Sequence, residues 1–381
     1  MISTSQLLRL AGITAALSLL IILGGRLLLP GNVYIKDQPK TMAYTVDIVK
    51  NGRWSLPRDV LSQPATKPPL YNWIDAIFVH ITGSYEEWVF KLPSMIAGVG
   101  IMVLIVWAAR RALLPSIDKQ FATFIGLFAA AIFIANPPVL SLIYLARPDL
   151  LQAAFLSAAW VAGTMALSRQ ESNLLPALTF WLCLLGVALS KGPAALIALV
   201  WAPLAAKLLY GSWRHVYRLL PLIGLPILLG GVGVWFAAVW RVDPDHLWNV
   251  LIKGEIIQRA VEGGPEGNVV GRPFYYAPMW FMTKFLPWSL PAALGVLIVA
   301  RRGRKFASHP LAAAALWLIV LLISFSIPQG KRIDYLVPCY VPAAILAAWV
   351  MTHIARRLRL PMQLVLAAVP LFAGWSIYRF P

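Results

Sequence analysis

The sequence has little charge for its length. Only 13% of its 381 residues are Asp, Glu, Lys or Arg, whereas soluble domains contain about 25%, and 60% of the residues are hydrophobic. This composition excludes an ordinary soluble globular protein. A helix that crosses a bilayer needs about 20 mostly apolar residues, and runs of this kind follow one another along the whole chain. The predicted fold class is therefore all-α, in a polytopic integral membrane protein.

Cysteine is scarce, and the usual nucleotide and metal motifs are missing. The two cysteines, Cys183 and Cys339, lie in separate apolar runs, which gives little support to a disulfide framework or a zinc site. The chain has neither Gly-x4-Gly-Lys-Ser/Thr nor Gly-x-Gly-x2-Gly, which argues against a nucleotide held by a P-loop or a Rossmann turn. The five histidines are scattered. The sequence thus predicts no cofactor and no metal ligands, although it leaves a divalent cation open.

Eleven apolar runs are candidate membrane spans. They cover residues 7–29, 93–109, 121–146, 150–168, 174–190, 193–210, 217–240, 277–300, 308–327, 335–354 and 360–378. The first is predicted to be a retained helix, because it lacks a small-residue cleavage site for a signal peptidase. No acid lies near the middle of a run, which argues against an ion-coupled transporter. We expect a single transmembrane domain over residues 1–381, without a soluble C-terminal domain.

Basic residues are concentrated in alternate loops between these runs. If the N-terminus is cytoplasmic, its side carries 15 of the 33 Lys and Arg residues but only two of the 15 acids. This asymmetry is the positive-inside pattern. It predicts a multi-pass protein of the cytoplasmic (inner) membrane, with loops 30–92 and 241–276 on the outer, periplasmic face. Topology thus accounts for most of the positive charge, which does not indicate a nucleic-acid partner.

The two outer loops hold eleven of the thirteen outer acids, and the site is therefore sought there. Residues 37–52 have helical character and end in Asn51-Gly52, a typical stop signal. Residues 70–82 and 245–262 combine apolar with polar positions in the manner of amphipathic helices. We expect such helices to lie along the membrane–water interface rather than to span the bilayer.

A carboxylate and two cations follow the first predicted span. Asp37 and Lys40 lie in Asp-Gln-Pro-Lys, and Lys67 precedes two prolines. A carboxylate flanked by fixed cations can act as a general base beside an anionic substrate. Alternatively, Asp37 is an ordinary helix N-cap before Pro39, and Lys67 is a solvated cation on a stiff loop. Residue types alone leave both interpretations open.

A second charged pair, Arg147 and Asp149, lies between the third and fourth predicted spans. Charges beside apolar helices are costly unless they are paired or hydrated, which makes this pair a functional candidate. The alternative is that the two residues cap the adjoining helices. Other cations at helix ends can equally snorkel beside an aromatic belt. Together, however, the outer turns supply enough cations to surround a phosphate or pyrophosphate: Lys40, Lys67, Arg147, Arg259, Arg272, Lys331 and Arg332.

Several short motifs occur in an order that is specific to one family. They are Asp37-Gln38 with Lys40, Lys67-Pro68-Pro69-Leu70-Tyr71-Asn72-Trp73, Lys91-Leu92-Pro93-Ser94, Arg147-Pro148-Asp149, Ser190-Lys191-Gly192-Pro193, Asp243-Pro244, Glu255-Ile256-Ile257-Gln258-Arg259, Pro273-Phe274-Tyr275-Tyr276, Leu286-Pro287-Trp288, and Lys331 with Tyr335 and Pro338. Over residues 30–345 the sequence therefore resembles the polyprenyl-phosphate-dependent glycosyltransferases of the C-type membrane fold, specifically the aminoarabinose transferase and protein O-mannosyltransferase group.

The resemblance implies an inverting glycosyltransferase of the cell envelope. Its donor would be a sugar on a polyprenyl phosphate, such as undecaprenyl phosphate, and its acceptor a hydroxyl of a lipid, glycan or protein that the sequence does not identify. The implied catalytic carboxylates are Asp37 and Asp149, and the implied ligands of the donor phosphate are Lys40, Lys67, Arg259 and Lys331. Further candidates for substrate contacts are Gln38, Arg147, Arg272, Tyr275, Tyr276, Arg332 and Tyr335.

The sequence also departs from the family pattern. Gln38 stands where the family has Glu, and Gly271-Arg272 stands where a His is frequent. Two alternatives therefore stay open: a flippase or carrier of lipid-linked sugars, and a non-catalytic protein that binds them. The confinement of the cations to one predicted face favours the enzyme over the transporter.

Overall fold

The computed structural model describes residues 4–28, 37–110, 118–168, 174–258, 272–309 and 311–379. The only β feature in these ranges is a bridge between Arg58 and Pro64, and the all-α prediction is confirmed. The helices are α1 (Thr4–Leu28), α2 (Gln38–Asn51), α3 (Leu70–Thr82), α4 (Leu92–Ala108), α5 (Lys119–Ile134), α6 (Pro137–Ile143), α7 (Asp149–Ser168), α8 (Leu174–Lys191), α9 (Ala195–Leu208), α10 (Pro221–Val242), α11 (His246–Gln258, wound as a π-helix), α12 (Tyr276–Lys284), α13 (Ser289–Ala300), α14 (Ala312–Ser326), α15 (Val337–Arg357) and α16 (Met362–Arg379). Short 3-10 helices cover Val89–Lys91, Trp213–Leu219, Gly303–Ser308 and Ile333–Leu336.

Six helical segments of the described chain are long and apolar enough to cross a membrane, and they contain α1, α4, α7, α8, α10 and α15. Helices α5 and α6 add a seventh span if the bent pair is counted as one. Helices α9, α13 and α14 and the part Met362–Ser376 of α16 are also apolar but shorter, at 10–17 residues each. The chain is thus a multi-pass membrane protein, whereas the predicted count of eleven spans is not confirmed.

Two runs that we predicted as continuous spans are broken helices. The run 121–146 bends by 72° between α5 and α6, where Pro137 and Pro138 follow Asn136. The run 277–300 divides into α12 and α13 around Pro287. Proline lacks an N–H and clashes with the preceding turn, and it therefore interrupts a helix that hydropathy alone would continue. The two breaks contact each other, because the Asn136 side-chain amide donates a hydrogen bond to the Lys284 carbonyl oxygen at 3.1 Å.

Helices α7 and α15 form the centre of the molecule. Within one apolar 18-residue stretch of each span, 78% of the residues are buried for α7 and 83% for α15, against 28% for α1 and 22% for α10. Trp317 of α14 stacks on Trp160 of α7 with a centroid separation of 6.0 Å and meets Trp201 of α9 edge-on at 5.5 Å. The poorly buried apolar surfaces of α1 and α10 suit helices that face lipid.

Two short helices outside the candidate spans position the residues of interest. Helix α3 has the bounds that the sequence predicted, α2 lies one residue inside its predicted bounds at each end, and the two helices pack against each other. Each ends at a glycine with left-handed backbone, Gly52 (φ 66°) and Gly83 (φ 64°), a conformation that costs glycine little because it has no Cβ. This packing brings the start of α2 next to the segment that precedes α3.

A buried polar link joins α2 to α3. Asn72 donates to the Thr41 carbonyl oxygen at 2.7 Å and to the Thr45 hydroxyl at 2.9 Å. The Thr45 hydroxyl has one proton, yet it lies 3.2 Å from the Thr41 carbonyl oxygen and 3.1 Å from Oδ2 of Asp75, which is fully buried. It cannot donate to both acceptors. A protonated Asp75 completes the link, since it can donate to Thr45 while Thr45 donates to Thr41.

Ionisation of Asp75 is expected to weaken this link. Burial raises the pKa of Asp75 well above its ordinary value of 3.8, and the hydrogen bond with Thr45 offsets only part of that effect. The unfolded chain releases this proton at a lower pH, so that between the two pKa values the folded protein binds more protons. The stability of the folded protein therefore falls as the pH rises through this window, by about 1.4 kcal/mol per pH unit.

Replacement of Asp75 by Asn is expected to raise the unfolding temperature at neutral pH and to flatten its dependence on pH. The Asn amide can donate to Thr45 without carrying a charge, and it fits the same space. Thermal unfolding of the purified protein in detergent, recorded between pH 5 and pH 8, measures both effects. Asp47→Asn is the matched control on α2 and should destabilise, because Asp47 accepts hydrogen bonds from Arg53 and from the Arg58 backbone N–H. A lower unfolding temperature for Asp75→Asn at neutral pH would contradict the protonated state.

Candidate functional site

The Asp37 carboxylate faces a lysine rather than the backbone of its own helix. Asp37 stands at the N-cap position of α2, but its side chain makes no capping hydrogen bond. Instead, Lys67 Nζ donates to Asp37 Oδ2 at 3.0 Å, and the side chains of Lys67 and Asp37 are 28% and 39% exposed, respectively. Asp37 is therefore at the N-cap position that the capping interpretation predicted, but its carboxylate does not cap the helix and pairs with Lys67 instead. The solvated-cation interpretation of Lys67 is wrong, since Lys67 is paired.

Nearby cations keep Asp37 ionised. Burial raises the pKa of Asp37, but the charge and hydrogen bond of Lys67 lower it by more than that, with smaller contributions from Arg147 and Arg332. The net result is a pKa of about 2, below the ordinary value of 3.8. Burial lowers the pKa of Lys67, and the charge of Asp37 opposes that decrease. At neutral pH the site thus holds a partly exposed carboxylate within the field of several cations.

Arg147 connects two further carboxylates in the interior. Its Nη1 donates to Asp334 Oδ2 at 2.9 Å, and its Nε lies 3.2 Å from Asp149 Oδ2. The side chain is only 3% exposed. Asp149 and Asp334 raise the pKa of Arg147 above its ordinary value despite burial. Since this arginine serves two acids at once, its role exceeds that of a helix cap.

Asp149 is shared in the same way between two cations. Its second oxygen, Oδ1, accepts a hydrogen bond from Lys191 Nζ, and Lys191 Nζ also lies 4.3 Å above the ring of Tyr335. Asp149 is 2% exposed. The predicted carboxylate is therefore present in the interior of the site, where both of its oxygens face cations.

These residues form one charge cluster. Arg332 Nη2 lies 3.8 Å from Asp334 Oδ2, and the charges of Arg147 and Arg332 both act on Asp37. The cluster combines side chains from the start of α2, the segment before α3, the turn before α7, the end of α8 and the segment before α15. Its members have a net charge of +1 and are Asp37, Lys67, Arg147, Asp149, Lys191, Arg332 and Asp334.

Arg272 and Lys331 bind each other's backbone beside the cluster. Lys331 Nζ donates to the carbonyl oxygens of Arg272 and Pro328, each at 2.6 Å, and Arg272 Nη1 donates to the Lys331 carbonyl oxygen at 3.2 Å. The Arg272 guanidinium also lies 4.5 Å from the ring of Trp280 and 5.5 Å from that of Tyr276. The two side chains therefore hold the segment at Arg272 against the segment that contains Pro328 and Lys331.

The remaining predicted residues have different positions. Lys40 is exposed on the first turn of α2, and Tyr275 is 60% exposed. Gln38 is fully buried and accepts a hydrogen bond from the Ala146 backbone N–H at 2.9 Å. Arg259 lies outside the described residues.

Sequence reasoning missed two members of the cluster. Asp334 is a lone acid in Lys331-Arg332-Ile333-Asp334-Tyr335, and an acid among cations at a helix end is a signal that could have identified it. Lys191 stands in the motif Ser190-Lys191-Gly192-Pro193, but it is not among the predicted site residues, because nothing local indicates its contact with Asp149. In the described part of the chain, no three His, Cys, Asp or Glu side chains are arranged to hold a metal ion.

Comparisons with known proteins find sequences that are similar to this chain. Residues 66–230 match the model of the dolichyl-phosphate-mannose-protein mannosyltransferase family. The undecaprenyl phosphate-alpha-4-amino-4-deoxy-L-arabinose arabinosyl transferase of Erwinia tasmaniensis is 28% identical over 320 residues, which are 82% of this chain and 54% of that protein. The protein of the same name from Edwardsiella ictaluri is 25% identical over 327 residues, 84% of this chain and 56% of that one. The chain thus spans about half the length of these relatives.

Solved structures show the same fold. ArnT from Cupriavidus metallidurans bound to undecaprenyl phosphate superposes with a TM-score of 0.73 at 20% identity, over 91% of this chain and 60% of that one. The oligosaccharyltransferase from Archaeoglobus fulgidus superposes with a TM-score of 0.64 at 16% identity, over 97% of this chain and 56% of that one. The motif resemblance is therefore confirmed as a similarity: the chain is similar in sequence to the aminoarabinose transferases and, over residues 66–230, to the protein mannosyltransferase family, and it shares its fold with ArnT.

Proposed function

We propose that this protein is an inverting glycosyltransferase that moves a sugar from a polyprenyl phosphate to an acceptor hydroxyl. The observation that carries the proposal is the partly exposed Asp37 carboxylate, which is not used as a helix cap and which pairs with Lys67 at the edge of a cluster of fixed charges. The sequence and fold relationship supports the same chemistry. The charge asymmetry of the loops supports a site on the outer face of the cytoplasmic membrane, within a single transmembrane domain.

The cations can stabilise the leaving group. A polyprenyl-phosphate sugar is a phosphodiester with one negative charge, and the departing polyprenyl phosphate gains a second charge as the glycosidic bond breaks. Lys67 and Arg332, with 28% and 38% of their side chains exposed, are the cluster cations that a bound phosphate can reach. Interactions that strengthen as this charge develops lower the barrier. Lys40 and Arg259 are proposed to add further positive charge around the donor phosphate.

Asp37 is proposed to receive the proton of the acceptor hydroxyl. With a pKa of about 2 it is fully ionised but weakly basic in the free site. A donor phosphate that takes over part of the Lys67 interaction removes the main charge that lowers this pKa. The donor would thus raise the basicity of Asp37 when it binds, and Asp37 then orients the hydroxyl toward the anomeric carbon and accepts its proton.

The deeper residues are proposed to fix this arrangement. Asp149, with both oxygens facing cations, would act by holding Arg147 and Lys191 in place. Lys331 and Arg272 would hold the loop that carries Arg332, next to Tyr275, Tyr276 and Tyr335 as contacts for the sugar or the prenyl chain. We propose no metal ligand among the described residues.

Lys67→Met is expected to weaken the binding of undecaprenyl phosphate by about 10- to 100-fold, because a charged hydrogen bond to the phosphate is lost. The measurement is the rise in unfolding temperature of the purified protein as undecaprenyl phosphate is added, since a ligand that binds only the folded state stabilises it by mass action. The matched control is Lys50→Met, which removes an exposed cation from the other end of α2. Equal stabilisation of Lys67→Met and the wild type by the lipid would exclude Lys67 as a phosphate ligand.

A further inference from the structure

The turn that carries Arg147 depends on side chains from three other helices. It connects α6 to α7, and it runs through Leu145 and Ala146 without forming a regular helix. Ala146 is completely buried, so its backbone N–H needs an acceptor from elsewhere in the protein. Gln38 of α2 supplies that acceptor through Oε1 at 2.9 Å.

The carbonyl side of the same turn is bound by α3 and α4. The Ser94 hydroxyl lies 2.6 Å from the Leu145 carbonyl oxygen and 3.0 Å from that of Arg147. The Tyr71 hydroxyl lies 3.1 Å from Ser94 Oγ and 3.0 Å from the Phe90 carbonyl oxygen. Ser94, Tyr71 and Gln38 are all buried, and they therefore fix the backbone on either side of Ala146 without contact with solvent.

Gln38 differs from Ser94 and Tyr71 because it lies between two members of the charge cluster, Asp37 and Arg147. It is the neighbour of Asp37 along the chain, and the group that it binds, Ala146, is the neighbour of Arg147. This hydrogen bond thus links the residue next to the exposed carboxylate with the backbone next to the buried guanidinium. A shift in this bond would change the position of Arg147 relative to Asp37.

The chemistry of an amide suits this position. The Ala146 N–H needs an oxygen acceptor, which both Gln and Glu offer. A charged side chain at position 38 would place a further buried carboxylate beside Asp37, and this like charge would raise the pKa of Asp37. Gln provides the acceptor and adds no charge.

We propose that Gln38 is a positioning residue, which sets the turn at Ala146 and thereby holds Arg147 in the place where it acts on Asp37. The inference rests on the proposed function, since it assigns Gln38 to the same site. Gln38 itself does not contact the substrate. Ser94 supports the turn from the opposite side.

The first test needs no substrate. Gln38→Met keeps the size of the side chain but removes the acceptor, and it is expected to increase amide hydrogen exchange about tenfold in a peptide covering residues 144–148, because a buried hydrogen bond is lost. Gln38→Glu retains the acceptor oxygen and should restore protection. Thr164→Val, which removes a buried hydrogen bond to Trp160 inside α7, is the control for a general loss of stability. Unchanged exchange in Gln38→Met would refute the proposed role in positioning the turn.

The second test measures transfer as a function of pH. Arg147 contributes to the low pKa of Asp37. If Gln38→Met moves Arg147 away, the pKa of Asp37 rises, and the acidic limb of kcat/KM should shift to higher pH. We also expect kcat to fall about tenfold, with KM for the polyprenyl donor within about twofold of the wild type. Thr164→Val should leave the pH profile in place. Increased exchange with an unshifted profile would overturn the link from the turn to Asp37. If the wild type transfers no sugar while exchange still rises in Gln38→Met, the positioning of the turn stands and the proposed function fails.

Discussion

Replacement of Asp37 by Asn is expected to lower sugar transfer by about 10²- to 10⁴-fold, the range that a positioned general base supplies. Asn has the same shape as Asp but can neither accept the hydroxyl proton nor carry a negative charge. Binding of the donor should be retained or strengthened, because Lys67 loses its partner and is free to contact the phosphate. The measurement is the formation of glycosylated product in membranes that contain a polyprenyl-phosphate sugar, followed by mass spectrometry.

Two comparisons make the Asp37 experiment specific. Asp245→Asn is the matched control, since it makes the same change at an exposed acid before α11, and it should transfer sugar at the wild-type rate. Stabilisation by undecaprenyl phosphate shows whether Asp37→Asn still folds and binds the lipid. Undiminished transfer by a folded Asp37→Asn protein would rule out its role as the base. Mass spectrometry of envelope lipids, glycans and glycoproteins, with and without the wild-type gene, would identify the sugar and the acceptor.

Replacement of Arg147 by Met is expected to destabilise the folded protein by about 3–5 kcal/mol, the usual cost of removing one partner from a buried ion pair. Arg147 is 3% exposed and lies between Asp149 and Asp334. Asp149 keeps Lys191, and Asp334 keeps the more distant Arg332 at 3.8 Å. The buried Asp149 carboxylate and the partly buried Asp334 carboxylate would thus face fewer cations, and the unfolding temperature in detergent should fall by several degrees. Sugar transfer should fall as well.

An exposed arginine provides the contrast. Arg53→Met removes a cation that pairs with Asp47 but is 50% exposed, and exposed pairs contribute about 0–1 kcal/mol. The double variant Arg147→Met with Asp334→Asn should recover part of the lost stability, because it removes one of the two carboxylates that lose the arginine. If Arg147→Met unfolds at the same temperature as Arg53→Met, the buried pairing described above is not a source of stability.

The membrane helices were predictable to the extent that apolar runs determine them. Helix α3 was also predicted with the correct bounds and α2 to within one residue at each end, and both helices end at a glycine, Gly83 and Gly52. The breaks at Pro137 and Pro287 were not predicted, although the prolines were visible, because an average over an apolar run hides a single residue. The lengths of the helices were also difficult to predict: α9, α13, α14 and α16 are each shorter than the apolar run that indicated them.

The site was predictable in its members more than in its pairings. Asp37, Lys67, Arg147 and Asp149 were all candidates, but nothing local shows that Lys67 contacts Asp37, 30 residues before it, or that Arg147 contacts Asp334, 187 residues after it. Such partners depend on how the helices pack. The alternative that Asp37 is only a helix cap could be resolved only by the direction of its side chain.

The hydrogen bond between Asn136 and Lys284 makes the two helix breaks a single structural unit. A broken helix leaves backbone groups without partners, and an apolar environment offers them no water. Here one break contributes a donor and the other an acceptor, although they are 148 residues apart. A shift of either segment by one residue would break this hydrogen bond. The two halves of the chain are thus coupled at this point, and changes in either half must be compatible with the other.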